Sequence, residues 1–247
     1  MKNPNAIISS SYGPMIININ DYVGRYISQH GYWATEDIDL IKMLIDFQLK
    51  KFETIVFYDV GANIGTHTLA IAKVYSDRVK IRAFEAQRQI YNMLCGTMAI
   101  NGITNAYLYN NAVSNTDNDT IEIALPDYNS VNNFAGLELI PPKLSDNQDL
   151  VKTSTEQIKT ICIDSFDERV DFIKIDIEGM EDKALMGATK TIEAHRPICF
   201  IELLKTDRDF VMDYFKKLNY VGFIGSIDLI AIPIEYQLQI NGLQKVL

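Results

Sequence analysis

The sequence has few basic residues for its acidic ones: 23 Lys and Arg against 32 Asp and Glu in 247 residues, a formal net charge of −9. A general nucleic-acid binder needs a basic face, so this balance argues against that class and leaves room only for a local basic groove. Cysteine is scarce. Cys95, Cys162 and Cys199 have no paired spacing, which excludes a disulfide framework and a zinc-binding run. Long apolar runs are missing, and the stretch after Met1 is broken by Ser9 to Pro14. That excludes a membrane span and a secretory leader there, so a soluble cytoplasmic protein without a membrane partner is expected. No repeat and no Pro/Gly-rich linker divides the chain. With 47% hydrophobic and 22% charged residues, the composition is globular, and the length fits one large domain or one domain with an appendage.

What is present starts with Ile55-Val56-Phe57-Tyr58-Asp59-Val60-Gly61-Ala62-Asn63-Ile64-Gly65-Thr66-His67-Thr68. An unbroken apolar run is the mark of a strand buried on both faces. Gly61 and Gly65 let the backbone turn sharply and a ligand lie against it, and Asn63 tolerates left-handed torsions. This predicts the first strand-loop-helix unit of an open α/β sheet, where a nucleotide-like ligand binds. The dinucleotide fingerprint lacks its third glycine here, and no Gly-Lys-Ser/Thr follows to make a phosphate loop. Asp59 at the loop entry would repel a pyrophosphate and attract a cation. S-adenosylmethionine carries a sulfonium and an ammonium and no phosphate, so the acidic loop favours it over NAD.

The second strand, Val79 to Phe84, ends in Glu85, 20 residues after Gly65. A carboxylate there can accept hydrogen bonds from both ribose hydroxyls, an arrangement that dinucleotide and S-adenosylmethionine sites share. After a helix over 89–101 and a strand over 106–110, the turn Asn111-Ala112-Val113-Ser114 falls beside the adenine pocket. Residues 114–165 read as a hairpin-like excursion on top of the sheet. Its middle, Pro126 to Thr155, is rich in Asn, Asp, Ser and Pro and reads as a loop or insertion. Residues 1–50 read as an N-terminal arm and helical cap ahead of the main domain, 51–247. Within the cap, His30 to Asp37 carries the only Trp, Trp33. Thr35-Glu36-Asp37 could cap the helix that follows, and the segment could close over a ligand or pack plainly at the N-terminus.

A second constellation is Ile173-Lys174-Ile175-Asp176-Ile177-Glu178-Gly179-Met180-Glu181. Carboxylates this close repel each other unless something positive or a shared proton lies between them. Asp176 and Glu178 sit at the carboxyl end of a strand, the ligand end of such sheets. Glu181 opens a helix, where its charge suits the dipole, so a structural role competes with a functional one. Glu202 ends the next buried strand and faces the same end. His67, in the first turn of its helix, reads as a packing residue rather than a catalyst.

Taken in order, Asp59-Val-Gly61-Ala-Asn63-Ile-Gly65 with Thr68, Phe84-Glu85, Asn111-Ala112-Val113-Ser114, Ile163-Asp164, the Lys174-x-Asp176-x-Glu178-Gly179-x-Glu181 run and Ile201-Glu202 resemble the FkbM family of S-adenosylmethionine-dependent methyltransferases. The resemblance covers about residues 52–224. It implies a Rossmann-like class I methyltransferase: a seven-stranded, mostly parallel sheet with an antiparallel last strand. It also implies O-methylation of a sugar, glycan or polyketide hydroxyl, and it does not reach residues 1–50 or 126–157.

On this reading Asp59, Gly61, Asn63, Gly65, Thr68, Glu85, Asn111 and Ala112 bind the cofactor. Asp176 or Glu178 acts as the base that an alcohol nucleophile needs. A divalent ion such as Mg²⁺ held by Asp176, Glu178 and Glu202 would serve the same end, and the residues leave that choice open. No His stands beside them, which disfavours zinc. The acceptor is a small molecule or glycan rather than a nucleic acid, since no Asn-Pro-Pro-Tyr type of loop follows Asp176. The competing readings are an NAD-dependent oxidoreductase on the same sheet and a binding protein that kept the fold and lost the chemistry. The oligomeric state is not encoded in any of these features.

Overall fold

The computed structural model describes residues 3–134, 136, 138 and 154–247. The chain opens with a hairpin, β1 (Asn5–Ser10) and β2 (Gly13–Asn18), then α1 (Tyr22–His30) and α2 (Thr35–Gln48). The hairpin forms the start of the expected N-terminal arm. Its inward residues Met15 and Ile17 are fully buried, and that burial converts a weakly patterned run into paired strands. Thr35 is the first residue of α2 and not its cap. Ala34 holds the cap position in a left-handed conformation without a side-chain hydrogen bond, and Glu36 and Asp37 supply the negative charge that the helix start favours.

The main sheet is built from β3 (Ile55–Val60), β4 (Val79–Phe84), β5 (Ala106–Tyr109), β9 (Phe172–Ile175), β10 (Ile198–Glu202), β11 (Tyr220–Gly225), β12 (Asp228–Pro233) and β13 (Gln244–Lys245). The missing numbers belong to a separate three-stranded sheet of β6 (Ala112–Val113), β7 (Thr120–Leu125) and β8 (Ser154–Ile161). The main sheet order is β13-β11-β12-β10-β9-β3-β4-β5. Strands β5, β4, β3, β9 and β10 run parallel. β12 inserts antiparallel between β10 and β11. Seven strands and an antiparallel last one are expected, and those seven are present. The eighth, β13, is a two-residue edge pairing with Phe223 and Ile224. Both of its residues are exposed, so no apolar pattern announces it.

β3 lies at the centre, and its alternation explains the two-sided core. Ile55 and Phe57 enter the layer beneath α2, α3 (Thr66–Tyr75) and α4 (Arg88–Ile100). Tyr58 and Val60 enter the layer beneath α5 (Glu181–Met186), α6 (Thr189–His195) and α7 (Arg208–Lys217). Each such fully buried large side chain contributes roughly 1.5–3 kcal/mol. Two short helices, α5 and α6, follow β9. Gly187 separates them, pressed so closely on the Ser114 carbonyl that a Cβ would lie 2.0 Å from its oxygen. Asp164 then receives the Lys190 and Thr191 amides at the start of α6, a structural use for the Ile163-Asp164 pair.

In the small sheet β7 and β8 fall within residues 114–165 and β6 just before them, and the first residues of β8 pair with the end of β7. Within the expected loop, the part up to Phe134 is packed: Phe134 is buried and its carbonyl accepts from Gln87 Nε2 at 2.7 Å. Residues 135, 137 and 139–153 of that expectation lie outside the described residues.

Candidate active site

The carboxyl ends of β3, β4, β9 and β10 border one cleft, and the turns leaving them supply its polar groups. The turn after β3 is shaped by left-handed residues: Gly61 at φ 84°, Asn63 at 52° and Gly65 at 93°. Gly61 is obligatory for a second reason. A Cβ there would stand 1.8 Å from the Asp176 carbonyl oxygen, so the first motif and the carboxylate motif press backbone to backbone. The Asp176 amide also donates to the Val60 carbonyl at 3.0 Å.

Glu85 leaves β4 into the cleft with its carboxylate already oriented. Oε2 accepts from the Asn63 amide at 3.0 Å and Oε1 from the Gln87 amide at 2.8 Å. Each oxygen keeps a lone pair for a ligand hydroxyl. Burial pushes this acid up to about 7, against the pull of those two amides. Gly61, Asn63, Asn111 and Ala112 line the cleft with it.

Asp59, Gly65 and Thr68 stand behind the cleft wall. Asp59 is completely buried. Thr68 Oγ1 donates to its Oδ2 at 2.6 Å, and Lys174 Nζ stands 3.8 Å from Oδ1. The cation that Asp59 meets in this structure is therefore a lysine of the chain itself, and neither Asp59 nor Thr68 is among the residues that line the cleft. Lys174 lies on β9 beside β3, in register with Asp59. Burial pulls its ammonium down, but the Asp176 and Asp59 carboxylates outweigh burial and hold it above the usual lysine range.

The Lys-x-Asp-x-Glu-Gly-x-Glu spacing now has a local explanation. Lys174 reaches Asp176 Oδ2 at 3.1 Å. Glu178 at φ 57° and Gly179 at φ 99° turn the chain. Glu181 staples that turn by accepting the Ile177 and Gly179 amides, both at 3.0 Å. Glu181 is buried, so its role is structural. Asp176, Glu178 and Glu202 converge, with one oxygen of each within 4.8 Å of the others. Lys205 pairs with Glu178 at 2.7 Å. Among the described residues Glu202 has no salt-bridge partner, and its buried Oε2 lacks any hydrogen bond. Burial, then the neighbouring Asp176 and Glu178 charges, push it up to about 8.

Three further residues join the site without a motif to flag them. Asp228 pairs with Glu202 across β12 and β10, and burial followed by the Asp37 and Asp176 charges raises it to about 7. Asp37, from α2, is raised by burial although Lys174 opposes the shift. Lys205 follows β10 as a lone lysine in a polar turn. A sequence signal existed only for Asp228, an acid opening an otherwise apolar strand. His67 is a packing residue with a buried Nε2. Burial and then Lys174 hold it well below the ordinary histidine range, so the imidazole is neutral.

Among the described residues lining the cleft there are four carboxylates, Glu85, Asp176, Glu178 and Glu202, and no Lys or Arg. The wall facing them includes Tyr22 and Trp33 from the N-terminal segment.

The methyltransferase FkbM domain matches residues 59–221, which take in every motif of this site. The chain belongs to the FkbM methyltransferase family. A relative in Haloferax volcanii, the hexuronic acid methyltransferase AglP, is 26% identical over 195 residues, covering 73% of this chain and 71% of its own. Among solved structures, a methyltransferase FkbM from Methylobacillus flagellatus superposes with a TM-score of 0.52 at 19% identity. That match covers 72% of this chain and 44% of the neighbour, so the chain spans less than half of that protein's length. It shows the class I methyltransferase fold. Among the described residues, no helix is long and apolar enough to cross a membrane.

Proposed function

We propose that this methyltransferase moves a methyl group from S-adenosylmethionine to a hydroxyl oxygen of a sugar. The observation that carries the reading is the charge of the cleft: four carboxylates line it, with no cationic side chain among the described lining residues. A pyrophosphate would find no cation among the described lining residues, whereas a sulfonium and an ammonium suit the acids there. NAD chemistry on the same sheet is disfavoured for this reason.

The residues present fit the cofactor. Glu85, fixed by two amides and with lone pairs to spare, would hold the ribose. The strand turn at Gly61 and Asn63 would hold the methionine part, and Asn111 and Ala112 would border the adenine. Bound there, the cofactor supplies a methyl group already activated on sulfur. The chain must then place an acceptor oxygen in line and take its proton.

Asp176 and Glu178 each carry an ammonium partner. They are suited to orient acceptor hydroxyls by accepting hydrogen bonds. Glu202 has no such partner among the described residues, and its basicity is matched to neutral pH, so it is the group to receive the proton. This shifts the base from Asp176 or Glu178, favoured by the sequence, to their neighbour. Three carboxylates are a donor set that a hard divalent ion accepts. Lys174 and Lys205 already balance two of them, however, and the proton path here needs no metal. Turnover insensitive to EDTA is the expected result. Residues 1–50 then act as a cap over a methyltransferase domain of 51–247, and the relative's name gives hexuronic acid as one sugar such a family member methylates.

The test is transfer of labelled methyl from S-adenosylmethionine to a panel of glycosides and nucleotide sugars. Incorporation into a sugar hydroxyl supports the reading. Transfer to protein or nucleic acid alone, with every sugar inert, contradicts it.

A further inference from the structure

Five aromatic rings lie between residues 22 and 33, and two of them, Tyr22 and Trp33, line the cleft. Trp33 meets Tyr22 edge-on at 5.8 Å and Tyr26 at 5.2 Å; Tyr26 in turn contacts His30 at 4.3 Å and Tyr32 at 5.9 Å. Tyr22 is 48% exposed and Tyr32 37%. Tyr22 and Trp33 line the same cleft as Glu85 and Asp176. Rings in the rest of the molecule mostly complete the core, as Phe57 and Tyr58 do. These leave apolar faces uncovered beside a set of carboxylates.

The wall is built in advance of any ligand. Asp21 caps α1 through the Gly24 amide and also takes the Phe134 amide at 2.8 Å. Gly31 and Ala34 adopt left-handed torsions on either side of Tyr32 and Trp33. The Ser11 amide donates to the Gly31 carbonyl at 2.7 Å, and the Tyr12 hydroxyl donates to the Trp33 carbonyl at 3.0 Å. Rings held this way lose little freedom when something docks on them.

We propose that Tyr22 and Trp33, backed by Tyr26, form the acceptor-binding wall and receive the C–H face of an uncharged pyranose whose hydroxyls point to Asp176, Glu178 and Glu202. This rests on the methyl-transfer reading above. A pyranose is amphipathic in just this sense: its axial C–H bonds make an apolar face, and its equatorial hydroxyls donate from the rim. Aromatic rings match the first and carboxylates the second. The charge state of the sugar follows from the same wall. Among the described residues the ammonium groups at this end, Lys174 and Lys205, are each paired with an acid, and no cation lines the cleft. A uronate would bring a fifth carboxylate to a site with four.

The experiment uses the full chain saturated with S-adenosylhomocysteine, whose binding is first measured by calorimetry. Saturation-transfer NMR then probes methyl β-glucopyranoside, methyl α-mannopyranoside and methyl β-glucuronopyranoside. Trp33 is the only tryptophan, so emission reports on the wall alone. The expected result is saturation of ring C–H protons in a neutral glycoside with a change in Trp33 emission, and weaker binding of the glucuronoside. Tyr22→Ala, at a half-exposed position, and Trp33→Phe, which keeps an apolar ring in the packing, should each weaken the glycoside by about tenfold and leave the S-adenosylhomocysteine affinity unchanged. The proposal is overturned if the variants weaken S-adenosylhomocysteine and spare the glycosides, if the glucuronoside binds best, or if no glycoside binds to the loaded protein. Failure of S-adenosylhomocysteine itself to bind would instead remove the methyl-transfer reading beneath it.

Discussion

Glu85 and Glu202 are two glutamates at the ends of two buried strands, and their surroundings differ. Glu85 is gripped by two amides and stands at about 7. Ribose hydroxyls donate, so they need its ionised form. Cofactor affinity should therefore rise with pH between about 6 and 8 and level off above, a trend that Glu85→Gln removes. That variant should also bind S-adenosylhomocysteine on the order of 10- to 100-fold more weakly, the loss of one or two hydrogen bonds to a charged group. Glu202 stands near 8, so kcat should climb on an ascending limb near that pH. Glu202→Gln should lower kcat by about 10²- to 10⁴-fold and flatten the limb, with little change in cofactor affinity. Asp176→Asn should lower turnover far more than cofactor binding. If Glu202→Gln keeps both the rate and the pH profile, the proton goes elsewhere.

At the level of elements, the site depends on two strand-end turns pressed together. Gly61→Ala places a methyl 1.8 Å from the Asp176 carbonyl oxygen and imposes a left-handed torsion on alanine. Backbone strain and overpacking at about 1–3 kcal/mol each predict a loss of at least roughly 2 kcal/mol in denaturant unfolding. A variant as stable as the parent would show that the two turns are not in contact.

These turns were also the legible part of the chain. Asp59 to Gly65, Glu85 and the Asp176–Glu181 run announce themselves because special torsions and buried charges admit few residue types. What escaped was set by tertiary packing. The β1–β2 hairpin has little alternation, β13 is two exposed residues, and Lys205 carries no local mark. The pattern also could not tell that Asp59 faces Lys174 inside the wall: one carboxylate after an apolar strand reads alike whether it meets a ligand or a lysine.

Across the whole molecule, the acid cluster sets how stability depends on pH. Glu85, Glu202 and Asp228 titrate at about 7, 8 and 7 in the folded protein. These values lie above the ordinary carboxylate range of about 4 in an unfolded chain. An acid whose folded value is raised stabilises fully below its unfolded value, and that stability is lost as pH rises through the folded one. Glu168 behaves oppositely. Its burial is outweighed by Arg82 and Lys80, which hold it down at about 2, so its contribution disappears as pH falls toward that value. Unliganded protein should therefore melt highest near the upper edge of the ordinary carboxylate range and lose Tm steadily toward pH 8. A Tm that climbs throughout that interval would contradict the assignment of the buried acids.

The central claim is that this acidic cleft takes S-adenosylmethionine, and calorimetric titration tests it most directly. S-adenosylmethionine and NAD are titrated in turn into the wild-type chain and into Glu85→Ala. The wild type should bind S-adenosylmethionine saturably, Glu85→Ala should bind it far more weakly, and NAD should give no heat. Saturable NAD binding with no response to S-adenosylmethionine would contradict it.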